Sequence, residues 1–164
     1  MIVTTKIKPI PDGFHTLTAY LIARGASDAI EFYKTAFGAT ELFRLNTPDE
    51  KIAHGEFKIG DSIFMISDEN PGCGSTSPET LKGSPVTLHL YVADADATFA
   101  DAVKAGAKES MPVANQFWGD RMGKLVDPFG HHWLIATHVE DVDPSEFQSR
   151  MDTHCAAHEA AHKA

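Results

Sequence analysis

From His15 the chain reads HTLTAYLIA, in which Leu17, Ala19 and Leu21 interleave with Thr18, Tyr20 and Ile22. That period of two, in residues that favour extended backbone, predicts a half-buried strand. At Ser27 the period changes. In SDAIEFYKTAFG, Ile30, Tyr33 and Phe37 share one helical face, Asp28 and Glu31 have capping-box spacing, and Gly38 stands where a helix would close. Three strand-like runs follow, TELFRLN, AHGEFKIG and SIFMIS, the last two joined at Gly60-Asp61 as a tight hairpin.

The same order then recurs. A breaker-rich stretch, residues 69–84, separates a first module at about 14–68 from a second at about 85–140. VTLHLYVAD reads as a strand, and DADATFADAVKAG as a helix with Ala95, Phe99, Ala102 and Val103 on one face and Gly106 as its stop. AKESMP, RMGKLVD and HHWLIATH supply three more strands. A unit of this length occurring twice is too long and too rare for a solenoid. The pattern predicts an α+β fold of two tandem β-α-β-β-β modules, each helix lying across a four-stranded sheet, together forming a cupped eight-stranded mixed sheet. Residues 1–140 make that domain. The tail, 141–164, predicts a C-terminal helix with Asp143 as N-cap, Pro144 in the first position and Glu146 in the third.

Composition narrows the function. A chain of 164 residues with 43% hydrophobic positions can bury an ordinary core. Its net charge of −9 argues against a nucleic-acid partner, because phosphate binding requires a basic surface. No apolar run approaches the roughly 20 residues of a membrane span, and the first residues lack a secretory apolar segment, so a cytoplasmic protein with no membrane partner is expected. Cys73 and Cys155 have no metal or redox spacing.

Strand alternation supplies the candidate site. With Leu88, Leu90 and Val92 beneath the second helix, Thr87, His89 and Tyr91 face the cup; Thr18, Tyr20 and Ile22 do so from the first module. With Phe57 and Ile59 buried, His54 and Glu56 face inward together. They either share a metal, or Glu56 orients His54 as a general base, or they form an ordinary polar strand face. His89 with Tyr91 offers a donor and an aromatic wall to a ligand. Phe117 and Trp118 are large apolar groups in a loop, either contacting a ligand in the cup or closing the cup or a subunit contact. Asp120 and Arg121 either pair with each other and fix the turn, or Arg121 grips an anionic group. His154, His158 and His162 recur every four residues in the tail, either as an adventitious metal row or as a solvated face.

Several runs carry a family resemblance: FYKTAFGA at Phe32 to Ala39, HGEFKIGDSIFMISDE from His54, SPVTLHLYVADADATF, and QFWGDRMGKLVDPFGHHWLIATH. Together they resemble the vicinal-oxygen-chelate superfamily of glyoxalase and bleomycin-resistance proteins. FWGDR and the terminal WLIATH are similar to its PhnB-like branch. The resemblance implies a homodimer and a cup holding a small organic ligand. Metal-using members carry four inward ligands, and the corresponding positions here are Thr18, Met65, Thr87 and Leu134. None is an ordinary ligand for a divalent cation. The resemblance therefore implies a ligand-binding protein without a cofactor at the usual metal site. The alternatives are a lyase or isomerase using His54, Glu56 and His89, with or without a divalent metal displaced onto His15, His54, Glu56 or His89, and a non-catalytic dimer whose cup is filled by its own side chains.

Overall fold

The structure is a computed structural model describing residues 7–162, with side chains through residue 156; the side chains of His158 and His162 lie outside that range. The chain divides into two compact units, Met1–Ser84 and Pro85–Ala164. Among the described residues, eight strands form two four-stranded mixed sheets.

In the first unit, β1 (Tyr20–Ala23), α1 (Ala26–Phe37), β2 (Thr40–Asn46), β3 (Ile52–Ile59) and β4 (Ser62–Asp68) build a sheet in the order β1-β4-β3-β2. β1 runs parallel to β4, with Tyr20 opposite Met65, and the other pairs are antiparallel. Helix α1 covers one face. Tyr33 stacks on Phe57 at 5.1 Å, Phe57 on Phe64 at 5.2 Å, and Ile30, Ile52 and Ile66 complete a core from which water is excluded. Each such side chain contributes roughly 1.5–3 kcal/mol by leaving water.

The linker is not structureless: a short helix α2 (Pro78–Leu81) is capped by Ser77, whose hydroxyl accepts from the Thr80 amide. The second unit repeats the first with β5 (Thr87–Tyr91), α3 (Ala95–Lys104), β6 (Lys108–Asn115), β7 (Asp120–Val126) and β8 (His132–His138), ordered β5-β8-β7-β6. β5 is parallel to β8, and His89 lies opposite Leu134. Phe99 of α3, Leu125, Trp133 and Ile135 form its core. Gly123 is required there, because a Cβ would lie 2.8 Å from the Phe99 ring. A 3-10 turn over Pro144–Glu146, capped by Asp143, leads into α4 (Phe147–His162).

Two local expectations are corrected. The first strand is only four residues long, so Thr18 precedes it and its hydroxyl donates to the His15 carbonyl. One parallel neighbour supports β1, and the last bond of that ladder runs from the Met65 amide to the Ala19 carbonyl. Helix α1 also begins two residues before Asp28, at Ala26, after Gly25, with no cap from its own side chains. Asp68, at the end of β4, reaches across and accepts from the Gly25 and Ala26 amides with one oxygen and from the Ile52 amide with the other. In the second unit the Thr137 hydroxyl takes that place, accepting from the Ala95 amide and donating to the Val92 carbonyl.

Candidate functional site

The face of the first sheet opposite α1 carries three of the expected residues in contact. β1 presents Tyr20 and β3 presents His54 and Glu56, two residues apart and so on one face. The Tyr20 hydroxyl lies 3.2 Å from His54 Nδ1, and His54 Nε2 lies 3.4 Å from Glu56 Oε1. Glu56 as a carboxylate can only accept, which assigns the proton to Nε2 and leaves Nδ1 to accept from the phenol. The imidazole also has the Tyr20 ring at 5.7 Å and the Phe43 ring at 6.3 Å. Met65 adjoins both Tyr20 and Glu56 across the ladder.

Beside this chain of hydrogen bonds lies an open recess of about 540 Å³. Tyr20 walls it together with Ser67 of β4, the β2–β3 turn at Thr47, Asp49 and Lys51, and the loop after β4 at Asn70, Cys73 and Ser75. Its rim is fixed by Glu69, which accepts from Arg24, Ser77 and Thr80. Hydrogen bonds from Thr80, Arg24 and Ser77 hold the Glu69 carboxyl down to about 2, so it is ionised at neutral pH. The hydrogen bonds from Thr47 and Lys51 likewise lower Asp49. Glu69 was not singled out by sequence; its partners lie 45, 8 and 11 residues away, and no local pattern marks them.

The second unit gathers its polar groups around Asp120, the fourth residue of FWGDR. This carboxylate is buried. It accepts from the Tyr91 hydroxyl and the Trp118 indole, each at 3.0 Å, and meets His138 Nδ1 at 2.9 Å. Burial pushes the Asp120 carboxyl up, but the hydrogen bonds from His138, Tyr91 and Trp118 outweigh it and leave it below the usual range. His138 meets a second carboxylate, Asp141, at Nε2 and 3.0 Å. Flanked first by Asp141 and then by Asp120, the imidazole is raised above its ordinary value. Tyr91 is raised as well, chiefly because its proton is held by Asp120.

This geometry corrects the pairing expected for FWGDR. Asp120 and Arg121 do not bind each other; successive strand residues point to opposite faces. Arg121 instead forms a two-pronged bridge to Asp96 of α3, at 2.5 and 2.6 Å, and donates to Asn115. Its guanidinium ties β7 to α3. Gly119 is demanded by its positive φ of 99° and by the Glu140 carbonyl, which occupies the space a Cβ would need. Phe117 meets Trp118 edge to face at 4.9 Å and the His154 ring of α4 at 5.7 Å. His89 lies against Tyr91 at 4.5 Å, within the second unit, while His54 and Glu56 belong to the first. Thr87 opens β5 opposite His132.

The family model for the glyoxalase/bleomycin resistance protein/dioxygenase superfamily matches residues 14–135. An uncharacterized protein of Mycobacterium bovis is 42% identical over 140 residues, spanning 84% of this chain and 92% of the relative. The X-ray structure of a gene product of Arabidopsis thaliana is 32% identical with a TM-score of 0.61, covering 75% of this chain and 98% of that one. A PhnB protein of Bacillus cereus, 16% identical with a TM-score of 0.59 over 75% of this chain and 99% of that one, shares the fold. The chain belongs to the glyoxalase/bleomycin resistance protein/dioxygenase superfamily.

Some members of that superfamily use a divalent metal. Of the four residues expected at its positions, Thr18 lies before β1, Met65 pairs with Tyr20, Thr87 pairs with His132 and Leu134 pairs with His89, and none of the four is an ordinary ligand for a divalent cation. Among the described residues, no group of three or more His, Cys, Asp or Glu is arranged to hold a metal ion. Nor is any described helix long and apolar enough to cross a membrane.

Proposed function

We propose that this protein binds a small organic molecule, in the manner of the glyoxalase/bleomycin-resistance proteins, without the usual four-ligand metal. The recess beside Tyr20 carries this reading. Its volume is about 540 Å³, within the range of small-molecule sites, and it combines an aromatic wall with the hydroxyls of Thr47, Ser67 and Ser75. FWGDR and the terminal WLIATH support placement in the PhnB-like branch. A cytoplasmic homodimer is the assembly we infer from the family.

A fragment screen followed by amide NMR tests the site. Binders should shift Tyr20, Ile52, Ser67 and Ser75, and a bulky Ser75→Trp change at the rim should abolish the shifts while leaving spectra of the second unit unchanged. Fragments that bind only elsewhere, or that ignore Ser75→Trp, would overturn the reading.

A further inference from the structure

The order of groups at Tyr20 is that of a nucleophilic triad. A hydroxyl lies within reach of an imidazole nitrogen, and the other nitrogen of that imidazole faces a carboxylate. This constellation activates an oxygen nucleophile: the imidazole takes its proton as the oxygen attacks, and the carboxylate fixes the tautomer and stabilises the imidazolium. Tyrosine is among the side chains able to serve as the nucleophile. We propose that Tyr20, His54 and Glu56 form such a triad, and that Tyr20 accepts the acyl group of an activated acyl donor held in the recess.

Four observations converge on it. The tyrosine walls the recess, and the residue remains 47% exposed. His54 meets Glu56 through its other nitrogen and also has the Phe43 ring beside it, so partners besides the phenol position the imidazole. Both bases lie on β3, in the interior of the sheet between β4 and β2, a rigid platform for a proton acceptor. The recess is lined with groups that can donate to an acyl oxygen, from Thr47, Ser67, Asn70 and Ser75.

The step balances without a metal or redox partner. Tyr20 Oη forms a bond to the acyl carbon, and the bond from that carbon to its leaving group breaks. The phenolic proton passes to His54 Nδ1, whose positive charge faces Glu56 through Nε2–H. The leaving group departs with the bonding electron pair and takes a proton from His54, restoring the neutral imidazole. Water attacking the aryl ester, with His54 again as base, releases the carboxylic acid and returns Tyr20.

The protein contains an internal control. Of its three tyrosines, Tyr33 is fully buried, and Tyr91 is more exposed than Tyr20, at 60%, but binds a carboxylate in place of an imidazole. Exposure alone would make Tyr91 the more reactive. The whole chain is treated with p-nitrophenyl acetate, release of p-nitrophenolate is followed, and acetylated peptides are quantified by mass spectrometry. We expect Tyr20 to acetylate at least tenfold faster than Tyr91. Glu56→Gln and His54→Ala should each slow Tyr20 by tenfold or more without changing Tyr91, whose rate also reports that the variant is folded. Equal rates at the two tyrosines, or a Tyr20 rate indifferent to Glu56→Gln, would overturn the triad. The proposal rests on the recess being a ligand site, yet the two fail separately: fragments can bind with no acetylation, and acetylation is read without any fragment.

Discussion

The two units place different chemistry on the same scaffold. Counted back from the residues that cap their helices, Asp68 and Thr137, Tyr20 and Met65 occupy the rung that His89 and Leu134 occupy in the second unit. On the neighbouring strands Glu56 pairs with Met65, whereas Lys124 pairs with Leu134. Each unit also has a tyrosine on its first strand whose hydroxyl donates a hydrogen bond. Tyr20 gives its hydrogen bond to an imidazole, a base that can take the proton and return it. Tyr91 gives its own to a buried carboxylate, which raises the phenol and holds it protonated. The fold fixes where side chains point; the acceptor decides whether a tyrosine is a reactive group or a strut.

The contrast extends to the hairpins before the last strands and can be broken there most forcefully. In the second unit Asp127 is buried, and it accepts from the Phe129 and His131 amides and the Trp133 indole. Burial works against its charge, but the hydrogen bonds, led by His131, keep it below the ordinary carboxylate range. Asp127→Ala strands these donors and should cost about 3 kcal/mol in urea unfolding. The first unit's hairpin has Asp61, exposed and bonded only to Ser62, and Asp61→Ala should change stability by less than about 0.5 kcal/mol. Equal effects would show the two hairpins to be equivalent.

The helix caps give an intermediate effect. Asp68 serves three amides and Thr137 one, so Asp68→Ala should cost about 2 kcal/mol and Thr137→Val about 1 kcal/mol. Hydrogen exchange should report faster opening of α1 in the first variant and of α3 in the second. Loss confined to neither helix would refute a capping role.

The smallest effect is one of pH. His138 is raised when folded, so its pairing with Asp141 and Asp120 contributes fully below the ordinary histidine value of about 6.5 and is lost as pH rises through the raised value. An NMR titration of the His138 ring should show that upward displacement. Asp141→Asn should bring it back toward the ordinary value, and an unchanged titration would mean that Asp141 does not hold the imidazole.

The repeat and nearly all its elements were legible in the sequence. Period-two runs and the paired Asp-to-Gly helices depend on neighbours a few residues apart, and the hydrophobic pattern selects the buried face. His54 and Glu56 on one face followed from the same counting. What failed was whatever a distant partner decided. The spacing of Asp28 and Glu31 resembled a cap, but Asp68, some forty residues on, supplies it. Arg121 sits beside Asp120 in the chain, yet the pleat turns it away toward Asp96.

By itself, the sequence determined the two-module α+β plan and the family, because each depends on local periodicity or residue identity. Only the tertiary structure decided that the Tyr20 hydroxyl faces the open nitrogen of His54 while Tyr91 is tied to Asp120. Hydrogen-bond partners are chosen by strand register across tens of residues. A shift of one position would turn the same side chains to the opposite face of the sheet.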